Sequence, residues 1–74
     1  MTMTTTVGID IGSGAVKSAL FRTDGERTEW LARRSERIRR RDPMTLAREG
    51  FDGVLADAGL TPGDVDYVAT TGEG

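Results

Sequence analysis

Apolar and polar residues alternate along the first part of the chain with the two-residue period of β-strands. Residues 7–11 place Val, Ile and Ile at every second position, and residues 15–23 alternate again, with Val16, Ser18 and Leu20 on one face. A Gly-Ser-Gly segment lies between them. We therefore predict two antiparallel strands joined by a tight turn.

A second turn signal, Asp24-Gly25, follows the second strand. This dipeptide is typical of a two-residue type I′ turn, whose two central residues both need a positive φ. We expect a third strand over residues 27–32, with Trp30 and Leu31, to pair back onto the second strand.

A helical pattern begins at Asp42-Pro43, since Asp favours the N-cap and Pro the first helical position. The apolar positions that share one helical face are Ala47, Phe51, Val54, Leu55 and Ala58. Gly59 is a typical helix stop. Gly50 and Gly53 each weaken the helix by about 1 kcal/mol relative to alanine, so we expect the helix to need a sheet to lie on.

A turn over residues 61–64 and a fourth strand over residues 65–70 complete the order β-β-β-α-β, which indicates the α/β class. Thr71-Gly72-Glu73-Gly74 would then form a loop at the carboxyl end of a strand, where open α/β sheets bind ligands. Glu73 is open to two interpretations: it faces a ligand or subunit interface, or it is only exposed. We expect the 74 residues to be a partial domain from a longer protein, with residues 1–6 forming a disordered amino terminus.

Composition narrows the chemistry that the chain can perform. Its 74 residues include no cysteine and no histidine, which excludes disulfides, thiolate nucleophiles, cysteine-held metal clusters and the commonest general base. The longest apolar stretch is too short to span a membrane, and the start lacks the basic and apolar regions of a signal peptide. We therefore expect a cytoplasmic protein without a membrane partner, whose isolated 74 residues are marginally stable.

Positive charge is concentrated in one segment, although the net charge is −2. Most of the arginines lie in this basic stripe, which comprises Arg33, Arg34, Arg37, Arg39, Arg40 and Arg41. The stripe is either a solvated edge or a docking surface for a subunit or another anionic partner. Nucleic acid is disfavoured because the net charge is negative and a single stacking aromatic residue, Trp30, lies nearby. We expect Trp30, Phe21, Phe51 and Tyr67 to pack in the core or between elements.

The candidate site residues are Asp10, Gly12, Ser13, Gly14 and Lys17. Their spacing excludes two common phosphate-binding motifs. A Walker A loop needs Gly directly before Lys, where Val16 stands, and a Rossmann fingerprint needs a third Gly where Lys17 stands. Both motifs also need a helix after the glycines, whereas this segment alternates like a strand.

A glycine-rich hairpin turn can nevertheless bind phosphate, because small residues let backbone amides approach the oxygens. Asp10 would then hold Mg²⁺, directly or through water, or would orient an attacking water. Lys17 would place a positive charge near the phosphates. The alternative is an ordinary tight turn beside a solvated aspartate.

Residues 8–21, GIDIGSGAVKSALF, resemble the first phosphate loop of the superfamily that includes acetate kinase, sugar kinases, Hsp70 and actin. With residues 28–43 (TEWLARRSERIRRRDP) and 65–74 (VDYVATTGEG), the chain most closely resembles the BadF/BadG/BcrA/BcrD ATPase family. This family comprises activators of 2-hydroxyacyl-CoA dehydratases and ATP-binding subunits of benzoyl-CoA reductases. Activators tend to carry ATGYGR where residues 69–74 read ATTGEG, and this departure points to the D-type (delta) reductase subunits.

The resemblance implies the opening β-β-β-α-β part of a ribonuclease H-like, actin-type ATPase domain that uses ATP and Mg²⁺. It also implies a role in a hetero-oligomeric oxidoreductase of anaerobic aromatic degradation. In such systems ATP hydrolysis drives electrons from reduced ferredoxin through a [4Fe-4S] cluster to a subunit that reduces benzoyl-CoA. The chain contains no cysteine, so we assign no cluster ligand and expect the 74 residues alone to be inactive. The alternatives are a dehydratase activator, a small-molecule kinase of the same superfamily, and a non-enzymatic interaction module built on the basic stripe.

Overall fold

A four-stranded mixed sheet carries one long helix in the computed structural model, which describes residues 3–72. In chain order the elements are β1 (Thr4–Ile11), β2 (Ala15–Thr23), β3 (Thr28–Arg37), α1 (Pro43–Ala58) and β4 (Tyr67–Gly72), with a short 3₁₀ turn at Pro62–Asp64. The strands lie in the order β3-β2-β1-β4, where β4 is parallel to β1 and the other neighbours are antiparallel. The predicted order β-β-β-α-β and the α/β class are confirmed.

β1 starts at Thr4, so the expectation of a disordered stretch over residues 1–6 is wrong for Thr4 to Thr6. These threonines pair with residues 21–23 of β2. On the other side of β1, Asp66 accepts a hydrogen bond from the Thr5 N–H at 2.9 Å and donates its own N–H to the Thr5 carbonyl at 2.8 Å. The start of β1 is therefore bonded on both sides. Residues 1 and 2 lie outside the described part of the chain.

β3 and β4 both reach further along the chain than the sequence pattern predicts. β3 continues past residue 32 and pairs Arg37 with Ala15, because an edge strand can keep its backbone ladder while it exposes polar side chains. β4 begins at Tyr67 and includes Thr71 and Gly72, which the sequence placed in a loop. The interpretations of Glu73 concern a residue outside the described range.

The turn between β2 and β3 spans residues 24–27 and is not the predicted two-residue type I′ turn. Gly25 has a φ of 97°, but Asp24 does not have a positive φ. The Asp24 side chain closes the turn, since its Oδ1 accepts the N–H of Arg27 at 2.9 Å and the N–H of Glu26 at 3.0 Å. These backbone donors hold the pKa of Asp24 below its ordinary value.

The core lies between α1 and one face of the sheet. Its buried apolar residues come from β1, β2 and α1 and are Val7, Ile9, Val16, Leu20, Leu46, Ala47, Val54 and Leu55. Leu46 is a core residue that the predicted helical face did not include, while Phe51 and Ala58 are half-buried against the core. Three of the five predicted helix positions are therefore fully buried and two lie at the core's edge.

Both predicted ends of α1 are confirmed. The Asp42 side chain accepts the N–H of Met44 at 3.3 Å, and Gly59 ends the helix in the left-handed region with a φ of 71°. Within the helix, Gly50 faces Ser18 of β2 so closely that a Cβ at residue 50 would overlap Ser18 Oγ. Gly50, which weakens the helix locally, is thus the residue that lets α1 lie close to the sheet. Neither helical segment among residues 3–72 combines the length and apolar character that a membrane crossing requires.

The other face of the sheet, called the open face below, is covered by no element among residues 3–72. Phe21 and Trp30 pack against each other there with ring centroids 5.0 Å apart, as the expectation of packing between elements requires. Trp30 is nevertheless 53% exposed and Tyr67 is 66% exposed, so neither is a core residue of the described chain. Phe21, Trp30 and Tyr67 therefore lie on the open face, whereas Phe51 lies at the edge of the core.

Candidate functional site

Three polar side chains form a row across the open face. Asp10 of β1 is paired with Lys17 of β2 on one side and with Thr71 of β4 on the other. Residues directly paired across a sheet point to the same face, so all three side chains point away from α1. They line one shallow groove of about 630 Å³, together with Trp30 and Arg33.

Asp10 is exposed and has one carboxylate oxygen engaged. The Thr71 hydroxyl donates a hydrogen bond to Asp10 Oδ1 over 3.2 Å. Lys17 lies directly opposite Asp10, but within residues 3–72 it forms no ion pair with this carboxylate. The second oxygen of Asp10 and the ammonium group of Lys17 are therefore both accessible to a ligand.

The turn between β1 and β2, called the glycine turn below, leaves two backbone donors without an acceptor. The Gly12 N–H donates to the Ala15 carbonyl at 2.9 Å and so closes the turn. The N–H groups of Ser13 and Gly14 donate to no backbone or side-chain oxygen among residues 3–72. Of the three amides predicted to contact phosphate, those of Ser13 and Gly14 are available, while that of Gly12 is already used.

The two outer glycines of this turn have different surroundings. A Cβ at Gly12 would lie 3.3 Å from the Ala15 carbonyl oxygen, which is a tight contact. A Cβ at Gly14 would meet nothing within 4 Å. The fold therefore constrains residue 12, whereas it leaves open space at residue 14 on the surface next to the two available donors.

The sequence placed Thr71 in a loop where ligands are expected to bind, but its contact with Asp10 was not predicted. Its position beside Asp10 depends on the register between β1 and β4, which lie 61 residues apart along the chain at this pair. The sequence signal that could have found it is a hydroxyl residue near the end of a strand expected to run beside the Asp10 strand. Such a signal has no fixed spacing, because register depends on tertiary packing.

The β3 part of the basic stripe is divided between the two faces of the sheet. Arg33 lies over the Trp30 ring on the open face, with its guanidinium carbon 5.0 Å from the ring centre. Arg34 faces α1 and forms two hydrogen bonds of 2.9 Å with the Asp57 carboxylate. The Arg34 hydrogen bond holds the pKa of Asp57 below its ordinary value. Arg34 thus ties β3 to the helix, and the stripe is not one continuous docking surface.

The loop part of the basic stripe lies beside the glycine turn. The Ile38 N–H donates to the Gly14 carbonyl at 3.0 Å, so the loop that follows β3 is bonded directly to this turn. Arg39 and Arg40 have positive φ angles of 39° and 67°, which are uncommon for residues other than glycine. Within residues 3–72 neither arginine forms an ion pair. Two exposed cationic side chains therefore adjoin the end of the sheet where the candidate site lies.

The donor set suits Mg²⁺ bound together with phosphates and does not suit a separate metal centre. Among residues 3–72 no cluster of three or more His, Cys, Asp or Glu side chains could hold a metal. Mg²⁺ usually keeps several waters and is bound by one or two carboxylates plus substrate phosphates, which the single accessible Asp10 carboxylate matches. An iron–sulfur cluster does not fit, because the chain has no cysteine.

Comparison with protein sequences identifies the family of this chain. The sequence model of the BadF/BadG/BcrA/BcrD ATPase family matches residues 7–74. The chain is 65% identical over 72 residues to the D-type subunit of benzoyl-CoA reductase from Thauera aromatica, a match that covers 97% of this chain and 26% of that protein. The chain therefore spans about a quarter of the length of this relative.

Comparison with solved structures identifies the fold. The crystal structure of a Ppx/GppA family member from Aquifex aeolicus matches with a TM-score of 0.66 and 13% identity, over 96% of this chain and 26% of that one. A second structure of an Aquifex aeolicus Ppx/GppA enzyme matches with a TM-score of 0.64 and 12% identity, over 96% and 27%. These similarities confirm the predicted actin-type ATPase fold, of which the chain is a part.

Proposed function

Since the chain belongs to the BadF/BadG/BcrA/BcrD ATPase family, we propose that its glycine turn binds the phosphates of ATP in a benzoyl-CoA reductase-like assembly, and that Asp10 contacts hydrated Mg²⁺ or the attacking water. The observation that carries this proposal is the pair of N–H groups at Ser13 and Gly14 that have no acceptor among residues 3–72. Backbone N–H groups are strong donors, and successive amides in a turn favour the binding of an anion.

Each site residue has a distinct task in ATP hydrolysis. The N–H groups of Ser13 and Gly14 donate to phosphate oxygens, and Gly12 keeps the turn narrow enough for their approach. Lys17 adds a compact positive charge on the neighbouring strand. Asp10 accepts a hydrogen bond from the attacking water or contacts hydrated Mg²⁺. When bound, Mg²⁺ neutralises the charge that develops on the transferred phosphoryl group.

At the level of the whole protein, hydrolysis changes the conformation of the ATPase domain and drives electron transfer to a partner subunit. The donor is reduced ferredoxin, and the acceptor subunit reduces the aromatic ring of benzoyl-CoA. The 65% identity to the D-type subunit of a benzoyl-CoA reductase supports this role. The [4Fe-4S] cluster of the assembly is held by residues outside this cysteine-free chain. We further propose that the assembly is cytoplasmic and binds neither nucleic acid nor membrane; the net charge of −2 on this chain disfavours a nucleic-acid partner.

A single added methyl group tests the phosphate-binding role. Residue 14 has no positive φ and has open space at its Cβ position, so Gly14→Ala should fold like the wild type. In the full-length protein within its assembly, we expect Gly14→Ala to weaken ATP binding by about 10-fold or more, which corresponds to about 1.4 kcal/mol. The methyl group would occupy space that the phosphates need.

Gly63→Ala is the matched control, because a Cβ there meets only Thr61 Oγ1 at 3.7 Å. This variant should keep the wild-type ATP affinity and melting temperature. Wild-type ATP affinity in Gly14→Ala would contradict phosphate binding by the glycine turn.

A further inference from the structure

We propose that Thr71 is a positioning residue that fixes the Asp10 carboxylate for its contact with hydrated Mg²⁺ or the attacking water. The inference deepens the proposed function and rests on it, since it assumes that Asp10 takes part in handling Mg·ATP. Its basis is the hydrogen bond that the Thr71 hydroxyl donates to Asp10 Oδ1 over 3.2 Å.

The hydrogen bond leaves the Asp10 carboxylate with one constrained and one available oxygen. Oδ1 accepts from Thr71, whereas Oδ2 has no donor among residues 3–72. An exposed aspartate otherwise samples several side-chain rotamers. Fixing one oxygen therefore fixes the direction in which the other oxygen meets a ligand, and such preorganisation strengthens binding and turnover.

At Gly72, directly after Thr71, the backbone of β4 lies close to β1. A Cβ at Gly72 would lie 2.7 Å from the Ile11 carbonyl oxygen and 3.0 Å from the Ile11 Cβ. Only a residue without a side chain lets β4 run this close to β1 directly after Thr71. Gly72 thus keeps the Thr71 hydroxyl within reach of Asp10.

Lys17, the other neighbour of Asp10, does not perform this task. It is paired with Asp10 across β1 and β2, yet within residues 3–72 it forms no ion pair with the carboxylate. The orientation of Asp10 therefore depends on β4, so the end of this strand contributes to a site whose other residues lie on the β1–β2 hairpin.

The experiment compares Thr71→Val, Thr71→Ser and Thr70→Val in the full-length protein within its assembly. Valine keeps the shape of threonine without the hydroxyl, and serine keeps the hydroxyl. Thr70 is the matched control, because it is an exposed threonine whose side chain lies on the opposite face of β4. The readouts are ATP affinity with and without Mg²⁺, measured calorimetrically, and the separate kcat and KM of ATP hydrolysis.

We expect Thr71→Val to lower kcat by about 10-fold and to reduce the gain in ATP affinity that Mg²⁺ provides, with Mg²⁺-free affinity unchanged. Thr71→Ser should restore both quantities, and Thr70→Val should equal the wild type. In an Asp10→Asn background, Thr71→Val should cause no further loss, because Thr71 acts through Asp10. If Thr71→Val lowers the melting temperature, Thr71→Ala against Thr70→Ala gives the same comparison.

Two results would overturn the inference: wild-type kinetics and Mg²⁺ dependence in Thr71→Val, or losses that add to those of Asp10→Asn. Failure of the proposed function has a different signature, since then Asp10→Asn itself would have wild-type ATPase activity. A loss in Asp10→Asn without any loss in Thr71→Val would refute the role of Thr71 alone.

Discussion

The two hairpin turns of the sheet differ in whether their backbone N–H donors have acceptors. In the turn after β2, the Asp24 carboxylate accepts the N–H groups of Glu26 and Arg27, so the turn is complete without a ligand. In the glycine turn after β1, no side chain plays this part, and the N–H groups of Ser13 and Gly14 have no acceptor among residues 3–72.

The two turns both contain glycine, so glycine content alone does not distinguish a turn with unused backbone donors from one without them. Gly25 is needed in the β2–β3 turn for its φ of 97°, which is a conformational requirement. Neither Gly12 nor Gly14 has a positive φ, so glycine there leaves space and does not supply an unusual backbone angle. Small residues with unused donors, placed beside Asp10, are what distinguish the glycine turn.

The largest expected effect comes from filling the glycine turn. Gly12→Val would push a branched side chain against the Ala15 carbonyl oxygen, which is already 3.3 Å from a Cβ at residue 12. We expect ATP affinity of the full-length protein to fall by about 100-fold or more, or about 2.7 kcal/mol. Gly25→Ala is the contrasting variant: it strains the other turn and costs about 1 kcal/mol of stability while ATP affinity stays unchanged.

Equal loss of affinity in both variants would mean that general destabilisation, and not the glycine turn, governs binding. Calorimetric ATP titration combined with melting temperatures separates the two cases.

The second effect concerns turnover. Asp10→Asn keeps the shape of the site and removes the charge, so we expect much of the ATP affinity to remain while kcat falls by about 100-fold or more, or at least about 2.7 kcal/mol in the barrier. Benzoyl-CoA reduction by the assembly should fall in step with ATPase activity, because the two are coupled in the proposed function. Steady-state ATPase and reductase assays measure both. Wild-type ATPase activity in Asp10→Asn would mean that Asp10 takes no part in hydrolysis and that the motif is an ordinary hairpin turn.

A smaller effect is expected at the loop part of the basic stripe, which is hydrogen-bonded to the glycine turn. Charge reversal of Arg39, Arg40 and Arg41 should weaken association with partner subunits by about 10-fold at low salt, and less at high salt, because screening reduces the electrostatic contribution. Reversal of Arg48, an exposed arginine on α1, is the control. Analytical ultracentrifugation gives the association constants. Reduced ATP affinity with normal assembly would instead mean that these arginines contribute to nucleotide binding and not to subunit association.

The smallest effect concerns the turn between β2 and β3, whose N–H donors are bonded to Asp24. Its N–H donors, first Arg27 and then Glu26, lower the pKa of Asp24 from the ordinary 3.8, so ionised Asp24 stabilises the folded state above that pH. This contribution is lost as the pH falls through the lowered pKa. The wild type should therefore lose slightly more thermal stability than Asp24→Ala below about pH 4, and both should bind ATP equally at neutral pH. Reduced ATP affinity in Asp24→Ala would mean that the turn between β2 and β3 also contributes to nucleotide binding.

Local signals were sufficient for most of the fold. The alternation over β2, the Asp42 cap and the Gly59 stop each depend on residues close in sequence, and all three are confirmed. The predicted end of β3 was wrong, because arginines on an exposed edge strand show no apolar alternation. Gly50 was interpreted only as a weak helix residue, since its contact with Ser18 comes from tertiary packing.

The candidate site was predictable to a similar extent. Asp10 and Lys17 follow from the motif and indeed lie on one face of the sheet, because strand alternation and hairpin pairing place them opposite each other. The engagement of the Gly12 N–H within the turn and the hydrogen bond from Thr71 were not predictable. Both depend on turn geometry and strand register, which residue types do not specify.

Amide-resolved NMR of the full-length protein can detect phosphate binding at the Ser13 and Gly14 N–H groups of the glycine turn. Titration with Mg·ATP should shift the Ser13 and Gly14 amide protons downfield, because hydrogen bonds to phosphate oxygens deshield them. The Glu26 and Arg27 amides, already bonded to Asp24, should not move. Saturable ATP binding with unshifted Ser13 and Gly14 amides would mean that the glycine turn does not bind phosphate.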